Sequence, residues 1–161
     1  MDIVDRLLDF DEWAMHDLLR ASSSLADAQL DQEFDIGHRT VRATFIHLIW
    51  NLDFWTSLMT GGDPLPEPDW TGISIAKLAE RYDRSFAAFA ALARKLRDEE
   101  RMDEVFVDHW QVKKSMSGTI LQVILHASEH RMEITHMLIR LGVQNVPEVD
   151  LGARDYELLN C

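Results

Sequence analysis

The 161-residue sequence has almost no cysteine: the single one, Cys161, is the last residue. One thiol cannot form an intrachain disulfide, which suits a reducing compartment. A terminal thiol is expected to be exposed and incidental. Positive charge is also scarce. Sixteen Lys and Arg stand against 28 Asp and Glu, a formal net charge of −12. That balance disfavours an electrostatic grip on nucleic acid or on an anionic membrane. No uncharged apolar run reaches the length of about 18 residues that reads as a membrane span. The opening Met1-Asp2-Ile3-Val4-Asp5-Arg6 lacks the basic and then apolar stretches of a secretory signal. A cytoplasmic protein is expected. Proline is rare too, and three of the four prolines fall within Gly61-Gly62-Asp63-Pro64-Leu65-Pro66-Glu67-Pro68. Helix is forbidden there, so an extended crossover within one domain is expected.

What is present is hydrophobic material in helical rhythm. Hydrophobic residues make up 47% of the chain, enough for one domain over residues 1–161 with a sizeable core. Four long segments show three- and four-residue apolar spacing, and none shows sustained alternation. The first runs from about Asp2 to Ala26 and includes His16, followed by a polar loop from Gln29 to Arg39. The second starts at the N-cap Thr40 and ends at Gly61-Gly62, with a nearly all-apolar middle around His47. The third starts at the N-cap Ser74, with Ile73 and Leu78 as a hydrophobic staple, and closes in the charged stretch Arg94 to Arg101. Glu104 to Val112, carrying His109, has β-propensity and reads as an arm or small hairpin leaning on the helices. The fourth helix runs from about Ser115 to Leu141 with Gly142 as its stop. The tail holds at most a short helical turn near Asp155 to Leu159.

The fourth helix contains His126-Ala127-Ser128-Glu129-His130. Histidines four apart lie one turn from each other and point the same way. On a helical wheel Glu133, Thr119, Gln122 and Met137 share their sector. Val123, Ile134 and Leu138 flank it on one side and Leu121, Leu125 and Met132 on the other. Arg131, Ser128 and Thr135 fall on the far side, which is read as the solvent face. A polar stripe at the centre of a buried face is costly unless something satisfies it. A divalent cation would, with His47 of the second helix as the third imidazole donor. Three protein donors leave a position for water or substrate. Glu133 could then orient that water, act as general base or support a donor, and Gln122 is a weaker supporting candidate. Core histidines satisfied by Glu or by backbone are the other reading of the same spacing, because residue 127 is alanine where the HExxH motif needs glutamate. Met15, Met59, Met116, Met132 and Met137 read as core filler.

Further motifs carry a resemblance. Phe10-Asp11-Glu12-Trp13-Ala14-Met15 resembles an xxWAN segment, with Met15 in place of Asn. Asp35-Ile36-Gly37-His38-Arg39-Thr40-Val41-Arg42-Ala43-Thr44-Phe45-Ile46-His47 resembles a GSxxxTLxH segment, and Trp55 and Gly61 echo a W…G ending. His126-Ala127-Ser128-Glu129-His130-Arg131 resembles HxxHHR. On these segments, spread over roughly Phe10 to Leu141, the chain resembles the DinB/YfiT-like superfamily of helical-bundle metalloproteins. It departs from the family at Glu129, Met132 and Glu133, where His, Gly and Gln are usual. The resemblance implies an all-α fold, a four-helix bundle with a long crossover connection, often a homodimer. It implies nickel, zinc or iron held by His47, His126 and His130. It also implies a small-molecule substrate, sometimes with a low-molecular-weight thiol as cofactor. The function expected is therefore a metal-dependent enzyme, a thiol-dependent transferase or a hydrolase, with Glu133 as candidate catalytic residue. The alternative is a non-enzymatic, metal-binding, stress-related homodimeric module. A purely structural bundle without metal is a third reading. His16, His109 and Cys161 receive no role.

Overall fold

Each long helix begins where a side chain can accept a first-turn N–H, and the computed structural model, which describes residues 1–160, shows those caps in place. Helix α1, Ile3–Ser22, is capped by Asp2 on the N–H of Asp5. A short helix α2, Asp27–Leu30, follows and runs into the start of the segment read as loop. Helix α3, Val41–Met59, starts under the Thr40 hydroxyl, which accepts the N–H of Ala43 at 3.0 Å. Helix α4, Ile75–Asp98, starts at Ser74, and α5, Met116–Arg140, at Ser115. Strand β1, Val105–Val107, pairs antiparallel with β2, Lys113–Ser115, as the small hairpin the sequence suggests. Gly142, at φ +78°, ends α5, and its N–H bonds to the Ile139 carbonyl. The tail forms a longer helix than expected, α6, Leu151–Asn160. The position of Cys161 lies outside the described residues.

The four long helices make the bundle. Helix α1 packs against α4 and α5, and α3 packs against the same two, so α1 and α3 face each other across a diagonal. One apolar core runs through them, with Leu8, Leu18, Phe45, Ile49, Leu78, Phe89, Ile134 and Leu138 almost fully enclosed. No helix among the described residues is long and apolar enough to cross a membrane.

Polar clamps inside this core place the segments around the site. Arg42 is 3% exposed and forks onto Asp31 and Asp27 while donating to the Ile73 carbonyl. It thereby ties α2 and the end of the connector to the first turn of α3. Arg131 of α5 pairs with Asp11 of α1, and the Tyr82 hydroxyl of α4 donates to that same aspartate.

Two expectations about α5 need correction. Arg131 is 1% exposed rather than solvent-facing, while Leu121, Leu125 and Met132 are 45%, 59% and 47% exposed rather than shoulders of a buried stripe. The reason is that α5 packs against α1 as well as α3. With His126 at zero and about 100° per residue, the buried arc runs from roughly 20° to 160°. The histidine sector therefore lies on the border of the buried face, not at its centre. Met132 accordingly is no core filler, whereas Met15, Met59, Met116 and Met137 are buried.

Candidate metal centre

His47 sits midway along α3, where apolar neighbours leave its side chain only 13% exposed. His126 and His130 sit one turn apart on α5, which packs on α3. The helix pair brings these rings together. His47 Nε2 and His126 Nε2 are 3.0 Å apart. The ring planes of His47, His126 and His130 are mutually steep, at 71°, 76° and 89°. Three imidazoles thus approach one another edge to face.

A fourth ring joins them. His38, in the loop before α3, stacks on His47 with centroids 3.8 Å apart and planes 25° from parallel. One nitrogen from each of His38, His47 and His130 lies within 4.8 Å of the others. Reading the sequence missed His38 as a site residue. It lies in a polar loop with no periodicity to assign it a face, and its only signal is a position beside Gly37 just ahead of the helix cap. The loop is held by Phe34, which is 4% exposed and whose N–H bonds to the Arg39 carbonyl at 2.7 Å.

Glu133 completes the arrangement from one turn beyond His130. Its Oε2 accepts from His130 Nδ1 at 2.7 Å, which leaves Nε2 as the free donor nitrogen of that ring. The carboxylate fits because Gly37 has no side chain. A Cβ there would lie 1.9 Å from Glu133 Oε2, and the residue's φ of +43° also favours glycine. Gln122 instead accepts from the Lys114 ammonium at 2.9 Å.

Burial disfavours the charged form of three of these rings, His38, His47 and His126. Burial first, then the imidazoles of His38, His130 and His126, lower the pKa of His47 to about 3. Burial also lowers His38 and His126, aided by His130, while Glu67 and Glu133 oppose it at His38 and Glu129 opposes it at His126. Neutral imidazoles with free lone pairs are what a divalent cation requires. A 3.0 Å nitrogen–nitrogen gap allows two such donors to reach one ion through bonds of about 2.0–2.1 Å. His47 turns Nε2 into the cluster, while its buried Nδ1 has no hydrogen-bond partner among the described residues. The residues fit a metal.

The remaining three histidines lie elsewhere, His136 on the exposed side of α5. His16 hydrogen-bonds Asp83 at 2.8 Å on the α1–α4 side, lining a groove with Leu19, Ser74 and Ala79. His109 lies in the hairpin turn against Trp110 and Phe54. None of the three joins the cluster.

A family model described as the DinB superfamily matches residues 11–134 of the chain. Among solved structures, YfiT from Bacillus subtilis, described as a probable metal-dependent hydrolase with an unusual four-helix bundle topology, superposes with a TM-score of 0.65. The match covers 88% of this chain and 90% of that one at 19% identity, a level at which likeness speaks for the fold. Comparison with curated proteins gave no match. A family match spanning most of the bundle, and both helices that carry the clustered histidines, makes this chain a member of the DinB superfamily.

Proposed function

We propose that the chain is a divalent-cation-dependent enzyme acting on a small molecule, with hydrolysis as the reaction class. The observation that carries this reading is the convergence of imidazoles from two helices and a loop: His38, His47 and His130 offer nitrogens within 4.8 Å of one another, and His126 Nε2 lies 3.0 Å from His47 Nε2. His47 and His130 would hold the cation, with His126 as the third donor that the family resemblance implies and His38 as the donor that the geometry groups with them. When bound, nickel, zinc or iron supplies Lewis acidity that polarises an acceptor oxygen and lowers the pKa of water or of a thiol. Glu133 holds the Nδ1 proton of His130 and so keeps that ring turned with Nε2 into the cluster. This contact favours a positioning role for Glu133 over that of general base. His38 covers the face of His47.

The charged groups acting on these rings favour hydrolysis over thiol transfer. The carboxylates of Glu67 and Glu133 act on His38, and those of Glu129 and Glu133 on His126. Such a rim repels a carboxylate-bearing thiol cofactor and suits a neutral or cationic substrate. YfiT's description as a probable metal-dependent hydrolase supports the same choice. A homodimer, implied by the family resemblance, is proposed as the assembly. Exposed Leu121, Leu125, Met132 and Ile139 along α5 are available to it, and sedimentation equilibrium reads it directly.

Elemental analysis of protein purified without a polyhistidine tag, followed by an ester, amide and thiol-transfer panel, is the test. About one nickel, zinc or iron per chain, lost in His47→Ala, together with metal-dependent hydrolysis, is the expected result. Normal metal content in His47→Ala would remove that residue from the site. Metal-dependent melting with no turnover anywhere in the panel would favour the alternative, a non-enzymatic metal-binding module.

A further inference from the structure

The proline-rich connector between α3 and α4 lies along α3. At its start the Ser57 hydroxyl donates to the Asp63 carbonyl at 2.8 Å, and the Gly62 N–H bonds to the Ser57 carbonyl. Further along, Trp50 Nε1 donates to the Leu65 carbonyl at 3.0 Å. At its end, Arg42 holds the Ile73 carbonyl. The two chains keep pace: ten residues of helix from 57 back to 47 climb about 15 Å, and four extended residues from 63 to 67 cover about 13 Å. The connector therefore brings Glu67 beside His47. Its Oε1 lies 3.9 Å from His47 Nδ1, the nitrogen that is buried without a hydrogen-bond partner. Pro66 and Pro68 bracket the glutamate and hold the backbone extended, while its side chain is 52% exposed and free to turn.

We infer that Glu67 is a positioning residue for His47, taking the Nδ1–H in a hydrogen bond so that Nε2 is held as the donor nitrogen. A closure of about 1 Å brings the pair to hydrogen-bond length. Glu67 on His47 then repeats what Glu133 does on His130, one carboxylate coming from the connector and the other from α5. Outer carboxylates of this kind fix the imidazole tautomer and raise donor basicity, and losing one typically costs 10–100-fold in metal affinity. A connector that otherwise reads as a spacer becomes part of the site.

This rests on the metal reading above, and the test separates the two. Zinc affinity is measured by competition with a chromophoric chelator in wild type, Glu67→Ala and Glu67→Gln, and the His47 tautomer is read by long-range 1H–15N correlation in the zinc-loaded proteins. The expected result is a 10–100-fold weaker Kd in Glu67→Ala, recovery to within about threefold in Glu67→Gln, whose amide oxygen still accepts the N–H, and a Nδ1–H tautomer at His47 in wild type. Wild type that binds no zinc overturns the metal reading itself. Wild type that binds while Glu67→Ala binds as tightly overturns the role of Glu67 alone. Equal losses in both variants would assign the effect to charge, and a His47 protonated at Nε2 would contradict the hydrogen bond; either overturns the inference. Among the described residues Glu67 makes no hydrogen bond to the fold, so the melting of metal-free Glu67→Ala should match wild type, which separates a fall in affinity from unfolding.

Discussion

Gly37 has chemical consequences two side chains away. Its missing Cβ admits the Glu133 carboxylate, and that carboxylate holds the ring of His130. Gly37→Ala should therefore act in two ways. It should destabilise the chain by about 1–2 kcal/mol, the usual cost of a Cβ in left-handed backbone, as read by urea denaturation of metal-free protein. It should also weaken metal binding, because Glu133 must leave His130; unchanged zinc affinity would show that Gly37 serves only the backbone. The histidine pair on α5 and the apolar setting of His47 were legible in the sequence, since both follow from helical spacing. His38, Gly37 and Glu67 were not. Each sits in a segment without periodicity, and each acquires meaning only from the helix that passes it.

At the level of elements, one enclosed ion pair joins α1 to α5. Arg131 and Asp11 have side chains 1% and 3% exposed, and the Arg131 guanidinium also lies 5.1 Å above the Phe10 ring. Removing one partner strands the other charge. Asp11→Ala should cost about 3–5 kcal/mol, measured by equilibrium unfolding, and Asp11→Ala with Arg131→Met together should recover much of that loss. A double variant as unstable as the single one would show that the pair itself holds the helices. The pairing was out of sight in a single-helix wheel. Such a wheel places residues relative to one another but does not say how many neighbours will cover the helix, and α5 has two.

For the whole molecule, the enclosed histidines predict acid sensitivity. His47 is held near pKa 3 in the folded chain against an ordinary value of 6.5, and burial lowers His38 and His126 as well. The unfolded chain then binds more protons between those values, so stability falls as pH drops below about 6.5 and keeps falling toward pH 3. Metal-free wild type should show this fall in unfolding free energy, and His47→Gln should flatten it; an unchanged slope would mean that His47 is not enclosed as described. Cation binding to the folded chain alone should raise the melting temperature, by the equivalent of about 2.7 kcal/mol at a hundredfold excess over Kd. The same protons should compete it away in acid.

Local rules in the sequence determined the elements. Caps at Thr40, Ser74 and Ser115 and the stop at Gly142 begin and end helices through bonds made within a few residues, so no knowledge of the fold is needed to place them. The same holds for the His126–His130 spacing and for the prolines that keep the connector extended. Tertiary structure alone decided which face of α5 is covered, that the loop carrying His38 folds over His47, and that the connector ends its climb with a carboxylate at an unpartnered imidazole nitrogen. Those outcomes depend on contacts between segments distant in the chain, and no periodicity along one strand of sequence records what another segment will bring.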